Sequence, residues 1–542
     1  MKLKNIFHWK VIFTLTMVLV VLSLAGFIYG QQMKLPSEDW SLGIPIDQYE
    51  LNTDFDSLIG QNTKAFGLPS GELVNTFILG QDAVIRKFNE DFTLMGELTV
   101  PLSGVATQMN GKHSESTLEL TAFVPESQTL HFITLDTATM ELIKEENTPV
   151  EAKSVKLAED QAVVVYEDRI ERIIDGQTQV FDISATGRIE LANVLQTGSE
   201  ILVATVQFEQ AKYKIYASTL TPDGEVHTVH LADIPSRSTI VPINIEMSSI
   251  GDEQTLVTTS KDNRFGVNYV TYATRQSDGT YKVSDYEIST YLAVPYFVQN
   301  GDQVQYLMNF WNANLGRSEL SRGFTSYQNL YLIDPLVGQP KQLTISQTPS
   351  IKPSYFNNGD YAYLVYNEHR EGKNTVYVSS NNPALIDRSV SITPGVAADV
   401  FSRTLSVYPA VLMSGLVTSM ISIFFIAAFV LPVMMFAMRW AENNKRFIAI
   451  MSIVLYLGSQ IFWYHTVVFK GLAENATFPA FIGNTTTGWI YYGLLTALTF
   501  YCFWDRYQRQ SKKNEYFLKS IGAFVVMHLL ATIFFFLPYS MI

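Results

Sequence analysis

Residues 353–365 read Pro353-Ser354-Tyr355-Phe356-Asn357-Asn358-Gly359-Asp360-Tyr361-Ala362-Tyr363-Leu364-Val365. A Gly/acidic turn opens into a strand of alternating apolar residues, because Gly and Asp tolerate the backbone of a tight reversal. The same phrase recurs upstream. Gly301-Asp302 leads into Val304–Leu307, Gly251-Asp252-Glu253 into Thr255–Val257, and Gly198-Ser199-Glu200 into Ile201–Val203. Looser copies are Gly71-Glu72 into Leu73, Glu115 into Leu118–Leu120, and Glu159-Asp160 into Ala162–Val165. The starts fall near 71, 115, 159, 198, 251, 301 and 359. A second strand follows each start, most clearly at His131–Leu135, Tyr213–Thr219, Val267–Ala273, Asn329–Ile333 and Thr375–Ser379. A turn and a third strand come next. Small β units repeated at this period cannot bury both sheet faces alone, and stacking them in a ring solves the problem.

The phrase Tyr331-Leu332-Ile333-Asp334-Pro335, followed by Gly338-Gln339-Pro340-Lys341-Gln342-Leu343-Thr344, resembles the blades of β-propellers of the TolB/YVTN/WD40-like type, as does Pro353–Asp360 with the strand after it. The resemblance covers roughly 70–395 and is one of fold. The WD dipeptide is missing and the first three copies are degenerate. It implies an all-β domain of about seven blades. Two β-sandwiches of similar strand spacing are the competing reading.

Outside these repeats the chain changes character. Of 542 residues only 16% are charged, against about a quarter in soluble proteins, and the formal net charge is −13. Residues 1–29 hold Lys2, Lys4 and Lys10 and no acid, and residues 408–542 hold nine bases against four acids, so the middle of the chain is strongly acidic. An acidic middle repels nucleic acid. Val11–Tyr29 is an apolar run, followed near the C-terminus by Pro409–Met438, Phe447–Phe469, a segment from Phe481 or Trp489 to Trp504, and Phe517–Tyr539. Each is of the length that crosses a bilayer core of about 30 Å, and aromatic residues sit at the ends. The expectation is therefore an α-helical membrane region of five transmembrane helices, one N-terminal and four C-terminal.

Basic residues then set the topology. The N-terminus and the loops Arg439–Arg446 and Arg506–Lys513 are expected in the cytoplasm, and residues 31–407 and the C-terminus outside. The expected organisation is a cytoplasmic tail and signal anchor (1–30), a linker or ring-closing strand (31–69), an extracellular propeller (70–400) and a four-helix membrane region (408–542). Cys502 is the only cysteine, so the exported part would have no disulfides, a usage typical of a Gram-positive cell-envelope protein.

Catalytic motifs are scarce. There is no phosphate loop, dinucleotide fingerprint, His-Glu-x-x-His or Gly-x-Ser-x-Gly, and no cofactor is expected. His227 and His230 are close in sequence, but their spacing puts them on opposite faces of a strand, so no metal site is expected. Glu145-Glu146 and Glu159-Asp160 read as solvated turns. His528, near the middle of the last expected span, is an intramembrane functional candidate, with His465 a lesser one. Gly493 and Ala497 read as a helix-packing pair. In the sixth repeat the connection 311–328 is 18 residues long, where hairpin loops usually have two to five. It carries Trp311, Arg317, Arg322, Phe324 and Tyr327, residue types enriched at binding hot spots. The functional expectation is a non-enzymatic binding or sensory scaffold for a protein, peptide or glycan partner in the envelope. The alternatives are an accessory subunit of an export or transport complex, and an envelope hydrolase using acids on the propeller's central face.

Overall fold

A computed structural model describes residues 9–33, 35–50, 63–391 apart from short inter-strand connections and the stretch 310–328, a few positions between 397 and 413, and residues 445–469, 485–510 and 517–536. It divides into two compact units, one formed by residues 35–312 and 325–391 and the other by 1–34, 313–324 and 392–542.

The first unit is a β-propeller. Its described residues form seven four-stranded antiparallel sheets. Blade 1 is β2 (Thr63–Gly67), β3 (Leu73–Leu79), β4 (Asp82–Phe88) and β5 (Leu94–Pro101). Blade 2 is β6 (Gln108–Ser114), β7 (Thr117–Val124), β8 (Thr129–Asp136) and β9 (Leu142–Pro149). Blade 3 is β10 (Ser154–Leu157), β11 (Ala162–Val165), β12 (Ile170–Ile174) and β13 (Gln177–Phe181). Blade 4 is β14 (Arg188–Thr197), β15 (Glu200–Glu209), β16 (Lys212–Leu220) and β17 (Val226–Asp233). Blade 5 is β18 (Ile240–Ile250), β19 (Glu253–Asp262), β20 (Val267–Arg275) and β21 (Tyr281–Ile288). Blade 6 is β22 (Tyr296–Asn300), β23 (Gln303–Asn309), β24 (Leu330–Ile333) and β25 (Pro340–Gln342).

Blade 7 takes three strands from the end of the ring, β26 (Ser350–Asn358), β27 (Tyr361–Arg370) and β28 (Lys373–Ser380), and its fourth from the beginning, β1 (Ile44–Glu50). The first strand of every blade lies against the first strand of the next, and β26 lies against β2, so the ring closes.

Apolar faces of neighbouring sheets bury one another. One core joins blades 1 and 2 through Val74, Ile85, Leu118 and Ile133. Others join blades 2 and 3, 3 and 4, 4 and 5, and 6 and 7. The core between blades 7 and 1 combines Val365, Val376 and Val378 with Phe77 and Phe88, and takes in Ile44 and Tyr49 of the borrowed strand. The Gly/acidic turns of the sequence are the hairpins between the first and second strands of the blades, so the repeat read there begins one strand late.

The second unit is helical: α1 (Trp9–Gln32), α3 (Lys445–Trp463), a π-helical turn at Tyr464–Phe469, α4 (Thr485–Gln510) and α5 (Phe517–Phe536). The short helix α2 (Pro383–Val390) belongs to the propeller and is capped by Asn382, whose side chain accepts from the Ala384 N–H. Among the described residues no helix is long and apolar enough to cross a membrane. The expected five transmembrane helices are corrected accordingly. So are the multi-pass cell-membrane localisation and the extracellular placement of the propeller and C-terminus, which rested on them. Polar residues interrupt the expected spans: α3 opens on Lys445-Arg446 and gives way after Trp463 to a π-helical turn with His465 and Thr466. The helix α4 opens on three threonines and ends on Asp505-Arg506-Tyr507-Gln508-Arg509-Gln510, and α5 contains Lys519, Ser520, His528 and Thr532. Pro409–Met438 falls almost wholly outside the described residues. Leu15, Leu19 and Leu22 of α1, Val454 and Phe462 of α3, and Ile490 and Leu494 of α4 are exposed.

Candidate functional site

The centre of the ring is chemically distinct. The first strand of each blade has one paired edge, facing the second strand, and one edge left open toward the channel. Backbone groups on an open edge need other partners, and here side chains from inner strands, and from Gln161 just ahead of β11, supply several of them. Gln108 and Asn110 of β6 donate from their amides to the carbonyls of Val155 (2.6 Å) and Leu157 (3.1 Å) on β10. Gln161 donates to the Val194 carbonyl on β14, and Asn193 of β14 donates to the Ile245 carbonyl on β18 at 3.4 Å.

One contact reaches further. Lys156 of β10 extends past blade 4 to β18, where its ammonium donates to Asn244 Oδ1 (2.8 Å), Glu246 Oε1 (2.8 Å) and the Ile245 carbonyl. Asn244 Nδ2 also donates to Glu246 Oε1 at 3.1 Å. All three donors of the lysine are used, and the pair is largely enclosed, with side chains 19% and 28% exposed. A cation saturated in this way is a strut between blades 3 and 5. Replacing it by Met would leave Glu246 without its cation and an edge carbonyl without a donor, which costs about 1–3 kcal/mol. Lys156→Met is therefore expected to lower the urea midpoint of the propeller, and Glu246→Gln less so. Equal midpoints for wild type and Lys156→Met would show that the strut adds nothing.

Another basic residue on an inner strand is Lys352. It lies where the β26 register shifts between Ile351 and Ser354, in a left-handed backbone conformation (φ 52°), and burial pushes its ammonium pKa down to about 8. Sequence reading missed Asn110, Lys156, Asn193 and Asn244. Their signal is weak, because an amide or lysine in a strand usually reads as a solvent-facing position.

The sites expected from sequence fare differently. Trp311, Arg317, Arg322, Phe324 and Tyr327 lie outside the described residues. The base of their connection is described: β23 and β24 pair down to Asn309 and Leu330, so the stretch links the second and third strands of blade 6. His227 and His230 are both exposed on β17, beside Glu225 and Asp233 respectively, and among the described residues no group of three or more His, Cys, Asp or Glu could hold a metal. Glu146 pairs with exposed Lys144.

His528 is fully buried in the helical unit. Its Nδ1 lies 2.9 Å from the Tyr456 hydroxyl of α3, and its Nε2 2.9 Å from Thr496 Oγ1 of α4. The Thr496 hydroxyl donates to the Tyr492 carbonyl at 2.8 Å, so its oxygen is left to accept from Nε2–H, and Nδ1 accepts from Tyr456. This assigns a neutral imidazole protonated on Nε2, consistent with burial lowering its pKa to about 4. The residue joins three helices. His465 is exposed in the π-helical turn, near the Trp489 ring. Gly493 and Ala497 line a cavity of about 500 Å³ with Leu457, Ile461, Trp489 and Tyr492.

No protein-family profile matches the chain, and no curated protein matches its sequence. Several solved structures are similar in fold. The N-terminal domain of Nup159 is 12% identical with a TM-score of 0.37, over 63% of this chain and 96% of that one. Hsv2 of Kluyveromyces lactis is 13% identical with a TM-score of 0.31, over 56% and 90%. A Lactobacillus plantarum protein is 13% identical with a TM-score of 0.35, over 51% and 83%. Nothing about function follows from likenesses of this degree, and the β-propeller rests on the seven sheets of the chain itself.

Proposed function

We propose that the chain is a binding scaffold whose propeller captures a protein, peptide or glycan partner through the blade 6 connection 311–328. The observation that supports this reading is the pairing of Asn309 with Leu330 at the base of that connection. A closed hairpin base fixes where a long insertion leaves the ring, while its own composition supplies the contacts. Trp311, Phe324 and Tyr327 offer large apolar area, and Arg317 and Arg322 are forks for carboxylates or other anions. The rest of the propeller sequence is acidic, so two arginines there favour an anionic partner over a basic one.

The test is capture by the intact chain in extracts of its own cells, followed by crosslinking. The triple variant Trp311→Ala, Arg317→Ala, Phe324→Ala is expected to reduce capture at least tenfold while leaving the unfolding midpoint unchanged. Undiminished capture would remove this connection from the account.

A further inference from the structure

Blade 2 holds a constellation with no counterpart in the sequence motifs. Ser103 lies in the connection from β5 of blade 1 to β6 of blade 2. Its Oγ stands 2.8 Å from His131 Nε2, and its own backbone N–H donates to the same nitrogen at 3.2 Å. The Ser127 hydroxyl, in the β7–β8 hairpin, is 2.6 Å from Ser103 Oγ. On the far side of the ring, His131 Nδ1 faces Glu145 Oε1 at 3.9 Å.

The strand register explains the arrangement. Ile133 of β8 pairs with Glu145 of β9, and His131 pairs with Asn147. His131 and Glu145 are therefore diagonal neighbours on one sheet face. That face packs on blade 1 through Ile133 and Leu135. The connection bearing Ser103 closes over the rim of this interface. It approaches closely because residue 104 is glycine: a Cβ there would stand 2.9 Å from Val124 Cγ1 and 3.4 Å from Glu126 Oε2.

From these contacts we infer that Ser103, His131 and Glu145 form a Ser-His-Glu nucleophile site that cleaves small neutral carboxylic esters. A ring nitrogen that accepts the Ser103 N–H carries no proton, so His131 is protonated on Nδ1, toward Glu145. That is the tautomer a general base for serine needs. Burial lowers the pKa of His131, which keeps it neutral near pH 7. Ser103 is exposed and His131 is buried, so the nucleophile meets substrate while its base is shielded from water. Glu126 beside the connection disfavours anionic esters.

The reaction balances with water alone. Ser103 Oγ bonds to the ester carbonyl carbon while its proton passes to His131 Nε2. The tetrahedral adduct breaks the bond to the alkoxy oxygen, which leaves as the alcohol with that proton. Water then gives a proton to Nε2 and attacks the acyl-serine, releasing the carboxylic acid and returning the proton to Ser103. Ser103 and His131 are the catalytic residues. Glu145 is a positioning residue, and its carboxylate stabilises the transient imidazolium.

The test uses the purified full-length chain with p-nitrophenyl acetate and a fluorophosphonate probe. The expected result is a burst of about one nitrophenolate per chain and a probe adduct mapped to Ser103, both lost in Ser103→Ala and kept in the distant Ser70→Ala. Because Ser103 is exposed, its alanine variant keeps the fold. Glu145→Gln should slow the steady rate at least tenfold and move the acidic limb of the pH profile to lower pH, since loss of the carboxylate makes the imidazolium a stronger acid. A folded wild-type chain that takes up no probe, or a Ser103→Ala chain labelled equally, would overturn the proposal. An unmoved pH limb would remove Glu145 from it.

Discussion

Trp40→Ala is expected to cost about 3–5 kcal/mol of propeller stability, the range for truncating a buried large aromatic side chain. Trp40 lies just ahead of β1 and is 1% exposed. It sits in the core between blades 6 and 7 with Leu307, Leu332, Tyr366 and Tyr377. Its indole N–H donates to Ser379 Oγ at 3.0 Å, and its ring stacks near Tyr355. Around it the Ser41 N–H donates to the Ser380 carbonyl, the Ser380 N–H to Ser41 Oγ, and the Leu42 N–H to Ser389 Oγ of α2. Gly43 completes the fit, since a Cβ there would stand 2.0 Å from the Tyr366 hydroxyl oxygen.

The segment therefore holds the ring closed twice, by strand pairing along β28 and by the tryptophan wedged between two blades. Domains of this kind have about 5–15 kcal/mol in total, so the loss is a large part of the whole. Trp40→Phe, which keeps a six-membered ring but loses the indole donor and the packing of the five-membered ring, should cost about 1–2 kcal/mol for the hydrogen bond in addition to the lost packing. Guanidinium unfolding followed by far-ultraviolet circular dichroism measures both. A shift below about 1 kcal/mol for Trp40→Ala would mean that the pairing of β1 closes the ring unaided.

The sequence made the middle strands of the blades readable and hid the inner ones, for a physical reason. Second strands such as Ala162–Val165 and Leu73–Leu79 are buried on both faces, so they appear as apolar runs behind a turn. First strands such as Gln108–Ser114 border the channel, and their polar residues replace the hydrogen bonds an open edge lacks. No local pattern distinguishes Asn110 serving the Leu157 carbonyl from a solvated asparagine. A ring-closing strand within residues 31–69 was one of two readings of that stretch, and its partner was not legible because closure is a matter of long-range pairing, between Ile44 and Val378 across the whole ring. The Ser103–His131–Glu145 constellation was invisible for the same reason: it joins a connection, a central strand and an outer strand, and Glu145 looks like one half of a charged pair until the register turns it toward His131. Apolar runs near the C-terminus were legible as helices, but polar residues within them and at their ends, together with the π-helical turn after Trp463, set their limits as structural elements.

Acidification should loosen the helical unit between about pH 6.5 and pH 4, through His528. Burial lowers the pKa of this imidazole to about 4, against about 6.5 in an unfolded chain. The native state therefore binds the proton less well than the unfolded state. Its contribution is whole above the unfolded value and is lost as pH falls through the window toward the folded value. A gap of this size corresponds to about 3 kcal/mol at the acid end of the window. The hydrogen bonds make the direction plain. Protonation puts a hydrogen on Nδ1, which now accepts from the Tyr456 hydroxyl, and forces that hydroxyl to turn toward the Val525 carbonyl 3.4 Å away. Hydrogen exchange over α3, α4 and α5 reports the loosening directly. The comparison that isolates it is His528→Gln, whose amide keeps a donor and an acceptor between Tyr456 and Thr496 but does not titrate. The wild-type unit is expected to lose protection relative to this variant as pH is lowered from 7 to 4.5, with carboxylates contributing alike to both. Curves that stay parallel through that range would show that His528 binds its proton equally well in the folded and unfolded states, and the three-helix hydrogen-bond hub would then not respond to pH.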